Sequence, residues 1–209
     1  MKNYGKLAAG LIASWFIVVV AAAVPHLFRN DPNRIGVAIA LAALTPVALL
    51  SVWFSASEKF QQLALSLNPR TLTAVQSWRI FGFLFLLLGA NGMLPAVFAV
   101  PAAYGDIFIG LTAALVAWQL ANPAHRTFFT FWQWLGLTDL IMAIILASTA
   151  PLLSPSASMH VMTELPLSLI PTFAVPLFVI LHVICIAQAR QWQPQQQAQF
   201  KKHLAASQA

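Results

Sequence analysis

The chain has 209 residues, of which 60% are hydrophobic and only 8% are charged, and its mean hydropathy is +0.79. Soluble domains carry roughly 25% charged residues, so this chain has too few to cover a surface that faces water. The 11 Lys and Arg residues outnumber the 5 Asp and Glu residues. Because the basic residues fall in loops and at helix ends rather than along one stripe, their excess indicates membrane topology and argues against nucleic-acid binding.

Apolar segments run through most of the sequence, and six of them are long enough to cross a bilayer, for which about 20 helical residues suffice. None alternates with the period of a strand, and an open sheet in hydrocarbon would leave backbone groups unpaired. The sequence therefore predicts an all-α, polytopic integral membrane bundle of six transmembrane helices. It would form one domain over residues 1–190, with a polar cytoplasmic tail over 191–209. The predicted spans are 7–28, 35–55, 75–97, 102–121, 129–150 and 167–189.

The positions of Lys and Arg predict the orientation of these helices. With the N-terminus inside, only Arg29 and Arg34 fall on the outer side. Nine basic residues fall on the inner side: Lys2, Lys6, Lys59, Arg70, Arg79, Arg126, Arg190, Lys201 and Lys202. Under the positive-inside rule this bias predicts that both termini are cytoplasmic, in a cell membrane of the bacterial inner type.

The first apolar segment has two interpretations. Lys2 and Lys6 precede an apolar run, and the alanines at 21–23 resemble a signal-peptide cleavage site. The run is longer than a usual signal core and continues through Leu27, which favours a retained anchor. Both interpretations stay open on the sequence alone.

Tryptophans cluster at the predicted inner ends of the helices, where amphipathic rings favour the headgroup layer. Six of them occupy such positions: Trp53, Trp78, Trp118, Trp132, Trp134 and Trp192. The pattern predicts an interfacial belt rather than a cage that stacks on a ligand.

Ionisable residues inside apolar segments are the main functional signal. A charge at the bilayer centre costs about 2.5–3.5 kcal/mol on insertion scales, so each one is a functional hypothesis. Arg79, Asp106 and Asp139 each share a helical stripe with small residues, which mark helix contacts and predict that all three point into the bundle. On a rise of 1.5 Å per residue, Arg79 would lie roughly 6 Å, Asp139 roughly 15 Å and His182 roughly 10 Å from the inner ends. These three residues form the predicted intramembrane polar site.

Each member of this site also has a structural explanation. Arg79 would reach the inner headgroups by snorkelling. Asp139 would make a hydrogen bond that joins two helices. His182 would be a neutral imidazole bonded to a backbone carbonyl.

A second group of polar residues falls near the outer ends: His26, Asn91, Asp106 and Glu164. Asp106 lies in the first turns of its predicted helix, where the helix dipole favours an anion, so a capping role explains it equally well. The group has ligand types but no ligand spacing, and no metal site is predicted.

Sequence motifs for familiar chemistry are missing. The chain has no Walker A loop, no dinucleotide-binding glycine motif, no H-E-x-x-H and no G-x-S-x-G, so no cofactor is predicted and an enzyme is disfavoured. The leading hypothesis is a small permease or channel-like protein with an Arg79, Asp139 and His182 site. The alternatives are a membrane-embedded enzyme or cofactor-binding protein acting at the outer residues, and an accessory or assembly subunit of a membrane complex. The expected partners are the lipid bilayer, a small solute or proton, and a second copy or partner subunit.

Overall fold

A computed structural model describes residues 2–29, 37–153 and 158–207, and burial is defined for the side chains of 5–29, 37–150 and 158–192. Over these residues the chain is helical, with no strand. Arg34 and the side chains of Lys2, Lys201 and Lys202 lie outside the described part. Six helices are long and apolar enough to cross a membrane: Gly5–Ala23, Val37–Ala56, Pro69–Ala90, Ala96–Gln119, Pro123–Ala150 and Ile170–Trp192. The predicted all-α fold with six long apolar helices is confirmed at this level.

The chain forms eight α-helices over its described residues, several of which join through tighter or wider turns. The helices are α1 Lys2–Ala23, α2 Val37–Ala56, α3 Glu58–Ser66, α4 Pro69–Val75, α5 Phe83–Ala90, α6 Ala96–Gln119, α7 Arg126–Leu153 and α8 Val175–Ser207. A 3-10 segment, Gln76–Gly82, joins α4 to α5, and a π-helical turn, Ile170–Ala174, leads into α8. The backbone of the predicted tail is helical as far as Ser207.

The third long helix, made of α4, the 3-10 segment and α5, begins earlier than its hydropathy predicts. Asn68 accepts a hydrogen bond from the backbone N–H of Arg70 at 2.9 Å, and Pro69 occupies the first helical position. Both features favour a helix start, because the Asn side chain satisfies a free N–H and proline has none to lose. Arg79 is therefore ten residues into the helix, near its middle.

The turn after this helix lies earlier in the chain than predicted. Gly92 has a φ of +69°, a conformation that glycine adopts without strain, and α6 begins four residues later at Ala96. The predicted spans 75–97 and 102–121 place this turn over 98–101. Pro101 lies inside α6 instead, in the second turn of the helix. Asp106 consequently lies ten residues into α6.

Four long helices form the packed centre of the molecule: α4–α5 with its 3-10 segment, α6, α7 and α8. The contact face of α6 is built from small residues, of which Ala99, Ala103 and Ala113 are fully buried. Small side chains let helix backbones approach closely, which is the common way for apolar helices to associate in lipid. This close approach brings polar groups of different helices within contact distance.

Helices α1 and α2 lie beside this centre rather than inside it. No residue of α2 is buried. The C-terminal half of α1 packs through Val19 and Ala23 against α2 and the π-helical turn, and Trp15 lies 4.7 Å from Phe173 between ring centroids. The N-terminal half of α1 has no such partner among the apolar clusters.

Two tryptophans depart from the predicted interfacial belt. Trp78 is 67% exposed in the middle of the third long helix, one residue before Arg79, and Trp132 is only 6% exposed inside the bundle. The prediction misplaces both tryptophans because the third long helix and α7 begin earlier than their apolar segments suggest. Trp53 and Trp118 remain exposed near helix ends, whereas Trp134 is exposed at the ninth residue of α7.

Candidate functional site

Arg79 lies at the centre of the candidate site and is only 2% exposed. It belongs to the 3-10 segment, whose buried residues are Gln76, Arg79 and Gly82. A 3-10 helix has three residues per turn, so residues spaced by three lie above one another on the same face. The local geometry therefore turns the guanidinium toward the other helices.

Two carboxylates from two helices bind this guanidinium. Arg79 donates from Nε to Asp106 Oδ1 on α6 at 2.7 Å and from Nη2 to Asp139 Oδ2 on α7. Arg79 Nη1 also donates to the carbonyl of Gly136 at 3.2 Å. We call Arg79, Asp106 and Asp139 the ionic triad. It joins three of the four central helices.

His182 connects the fourth helix to the triad. Its Nε2 lies 3.3 Å from Arg79 Nη1 and its Nδ1 lies 2.6 Å from Gln133 Oε1. A guanidinium has donors only, so His182 Nε2 accepts and the ring proton is on Nδ1, from which it is donated to Gln133. Gln133 in turn donates from Nε2 to Thr73 Oγ1 at 3.0 Å. His182 is therefore held as a neutral imidazole in one tautomer.

We call His182, Gln133 and Thr73 the polar row; all three are fully buried. The indole of Trp132 lies against the histidine ring, with centroids 5.7 Å apart. Gln76 is also buried, and it donates to the carbonyl of Phe178 on α8 at 3.2 Å. The row leads from the triad toward the N-terminal end of α4. Such a chain of buried groups fixes side-chain orientations because each unmet hydrogen bond would be costly.

Three glycines make room for the triad and for His182. A Cβ placed on Gly82 would meet Asp106, and one placed on Gly105 would meet Asp139. A Cβ on Gly136 would meet the ring of His182 and would lie 3.4 Å from Arg79 Nη1. These glycines let charged side chains lie directly against a neighbouring backbone.

The triad is unbalanced in charge, because one guanidinium faces two carboxylates. The side chain of Arg79 is 1% exposed, whereas those of Asp106 and Asp139 are 18% and 19% exposed. With both carboxylates ionised the site carries one excess negative charge, which is costly in a medium of low dielectric constant. One bound proton or one small cation would restore neutrality. The site is chemically suited to take up and release a single positive charge.

Of the predicted polar site, the structure brings Arg79, Asp139 and His182 into contact. Their depths differ from the expectation, because Arg79 lies about 15 Å rather than 6 Å from the start of its helix. Snorkelling of Arg79 is ruled out by its burial and its carboxylate partners. His182 is bonded to a glutamine side chain and not to a backbone carbonyl.

The predicted outer group is divided by the structure. Asp106 belongs to the triad, because α6 begins at Ala96 and the residue lies beyond the first turn in which a helix dipole acts. Asn91 donates to the carbonyl of Leu87 in its own helix at 2.7 Å and joins no cluster. The assignment of both residues to one outer cluster is therefore wrong.

His26 and Glu164 do come together, with 3.0 Å between His26 Nδ1 and Glu164 Oε2. Arg29 donates to the other carboxylate oxygen, and His160 Nε2 lies 3.5 Å from it. The hydrogen bond from Arg29 lowers the pKa of Glu164, with smaller contributions from the charges of Arg29 and His26. No group of three or more His, Cys, Asp or Glu residues in the described part of the chain has the arrangement of a metal site.

The sequence interpretation missed Gln133 and Thr73. A signal for part of this set is present in the sequence, where Thr73, Gln76, Arg79 and Gly82 recur at every third position. That period belongs to a 3-10 helix, whereas an α-helical stripe uses spacings of three and four alternately.

A family model described as "Domain of unknown function (DUF8737)" matches residues 32–190. The chain belongs to this family. The DUF8737 region includes all of α2 and extends into α8. It therefore contains the ionic triad and the whole polar row, and it leaves α1 outside. No curated protein and no solved structure matches the chain.

Proposed function

We propose that the protein is an integral membrane permease in which the ionic triad binds and releases one proton during transport of a small solute. The six long helices cross a bacterial cell membrane, with both termini in the cytoplasm. The observation that carries the proposal is the sharing of one buried guanidinium by two carboxylates at mid-helix. The family description names no activity, so the proposal rests on the chemistry of the site.

The membrane placement is supported by the outward faces of the central helices. Large apolar side chains are exposed there along the whole length, including Leu111 at 62% and Phe131 at 67%. Exposing an apolar surface of this extent to water would be unfavourable, whereas contact with acyl chains would not be. Arg79 is buried, so it no longer counts among the basic residues of the inner side. The remaining eight basic residues on the inner side, against two on the outer side, still favour cytoplasmic termini.

Charge balance gives the triad a switching property. When a proton neutralises one carboxylate, the remaining pair of opposite charges is balanced and the helices pack closely. When the proton leaves, two ionised carboxylates repel each other across Arg79, and hydration of the site becomes favourable. Proton exchange at Asp106 or Asp139 would thus switch the protein between a closed state and a state in which the triad is hydrated.

The 3-10 segment supplies a means of movement. Runs of 3-10 helix longer than three or four residues are uncommon, and a stretch inside a helix often marks a hinge. Conversion of Gln76–Gly82 to an α-helix would reduce the rotation per residue from about 120° to about 100°. Arg79 would then turn by roughly 60° relative to Gln76, which is enough to separate it from one of its carboxylates.

Reconstitution into liposomes tests the proposal. Liposomes that contain a pH-sensitive dye report proton entry driven by an imposed potential, alone and with a panel of small solutes. We expect solute-dependent proton entry with the unaltered protein, its loss in Asp139→Asn, and its retention in the control Glu164→Gln. Retention of the proton signal in a folded Asp139→Asn protein would contradict the proposal.

A second candidate function, an assembly subunit whose polar groups lock helices together, is favoured by one observation. Four of the five guanidinium N–H groups of Arg79 are used in hydrogen bonds, as a purely structural centre would require. In that case Asp139→Asn would lower the unfolding temperature, proton entry would be absent in every variant, and the protein would copurify with a stoichiometric partner.

A further inference from the structure

A groove lies at the end of the bundle where α1 begins, and its volume is about 160 Å³. Leu7 and Leu11 of α1 line one side, and Trp53, Phe60 and Leu63 of α2 and α3 line the other. The groove exists because α1 packs on its neighbours through its C-terminal half only. Its N-terminal half diverges from α2 and α3 and leaves a wedge between them.

The chemistry of the lining restricts what can occupy this groove. The ring of Trp53 stacks on Phe60 with 4.2 Å between centroids and 6° between planes, which makes one wall a continuous aromatic surface. Ser57 also lines the groove, but its hydroxyl already accepts from the backbone N–H of Phe60 at 3.3 Å. Ordered water needs two to four polar partners, and these walls offer few. An apolar chain is the better occupant.

Lys59 is the charged residue that lines the groove. Its ammonium is a compact point charge with three donors on a flexible apolar stem, well suited to a phosphate at the edge of an apolar surface. The combination of a lysine, a tryptophan and apolar walls is characteristic of the membrane interface. The groove therefore matches an amphiphile with one acyl chain and one anionic group.

We propose that the groove binds one anionic phospholipid, with an acyl chain along Leu7, Leu11 and Leu63 and its phosphate at Lys59. The inference depends on the membrane placement in the proposed function, but not on proton transfer at the triad. The bound lipid would fill the wedge and hold α1 against the rest of the bundle. Since the DUF8737 match excludes α1, the groove lies between the family region and the segment that precedes it.

Native mass spectrometry of the full chain in neutral detergent tests this inference. The protein is exchanged against phosphatidylglycerol or phosphatidylcholine, and the lipids retained per chain are counted. We expect one retained phosphatidylglycerol in preference to phosphatidylcholine. Lys59→Gln should reduce that preference about fivefold, the factor expected for one lysine at an anionic membrane surface.

Two further variants distinguish lipid binding in the groove from general electrostatic attraction between basic residues and an anionic lipid. Arg70→Gln makes the same change in charge at an exposed position outside the groove, and we expect it to leave the preference unchanged. Leu11→Trp fills the groove, and we expect it to abolish retention of both lipids. Equal effects of Lys59→Gln and Arg70→Gln, or full retention by Leu11→Trp, would overturn the inference.

Inorganic phosphate distinguishes a lipid site from a simple anion site. We expect phosphatidylglycerol, but not phosphate at the same concentration, to raise the unfolding temperature. Equal stabilisation by free phosphate would overturn the lipid assignment. Asp139→Asn should retain the lipid normally, so failure of the lipid inference and failure of the permease proposal give different results.

Discussion

Asp106 and Asp139 are 33 residues apart and lie on different helices, yet both accept hydrogen bonds from the guanidinium of Arg79. An arginine and one aspartate would form a neutral pair, so the second carboxylate needs an explanation. In a surrounding of low dielectric constant its charge is unfavourable unless a cation compensates it. The charge balance of the ionic triad should therefore affect both the free energy of unfolding and proton exchange at the site.

The charge count predicts a non-additive response to substitution. Asp139→Asn leaves Arg79 with one carboxylate, a balanced pair, so the unfolding temperature should stay near that of the unaltered protein. The double variant Asp106→Asn, Asp139→Asn leaves a buried guanidinium without a counter-charge, which should cost about 3–5 kcal/mol. Thermal unfolding in detergent checks both values.

The control for this series is Glu164→Gln, alone and combined with Asp139→Asn. Glu164 interacts with Arg29 and His26 at a distance from the triad, and its effect should add to that of Asp139. If the double aspartate variant lost no more stability than the sum of its single variants, the charge-balance argument would be wrong.

Because glycines lie where the helices touch, the stability of the protein should be sensitive to a single added methyl group. Gly105→Ala would place a Cβ against the carboxylate of Asp139, and Gly136→Ala would place one against His182. Overpacking of this kind costs typically 1–3 kcal/mol. We expect a clear fall in unfolding temperature for either variant.

Gly10→Ala is the matched control for those variants, because its added Cβ would have nothing within 4 Å. Alanine is favoured over glycine inside a helix by about 1 kcal/mol, so this variant should be neutral or slightly stabilising. A similar loss of stability in Gly10→Ala and Gly136→Ala would show that the contact with His182 does not matter.

Gln133 is predicted to set the tautomer of His182. Replacement with leucine removes the acceptor of the Nδ1 proton and leaves a buried donor unsatisfied, at a cost of about 1–3 kcal/mol. Nitrogen NMR of labelled histidine should show the Nδ1–H form in the unaltered protein and a changed signal in Gln133→Leu. Gln62→Leu, at an exposed position, should leave the His182 signal as it is. An unchanged tautomer in Gln133→Leu would contradict the assigned role.

The fold class was predictable from sequence because it depends on composition and length. Six long apolar helices follow from the hydropathy of the chain, and Arg79 and Asp139 could be assigned to helix contacts from the small residues on their stripes. The contacts of Arg79 with Asp139 and with His182 agree with that expectation.

Most errors in the sequence interpretation come from where the helices begin. Hydropathy locates the apolar middle of a helix, but Asn68, Pro69 and Pro95 decide where the third and fourth long helices begin. The fourth long helix begins at Ala96, about six residues earlier than predicted. Asp106 therefore lies at mid-helix and not near a helix end. A search for an α-helical stripe does not detect the 3-10 segment. Gln133 and its two partners, Thr73 and His182, come from three different helices that only folding brings together.

The outer pair of His26 and Glu164 predicts a response to acid. The hydrogen bond from Arg29 lowers the pKa of Glu164 below its ordinary value of 4.5, so the folded state stabilises the carboxylate form. This contribution is fully present above the ordinary pKa and is lost as the pH falls from there through the lowered pKa. Hydrogen exchange of the backbone at His160–Thr163 should therefore accelerate at about pH 3 relative to about pH 6. Glu164→Gln should show the faster exchange at both values, because the amide carries no charge for Arg29 to stabilise. If exchange in the unaltered protein were the same at both values after correction for its intrinsic rate, the Glu164 carboxylate would not hold this loop against Arg29.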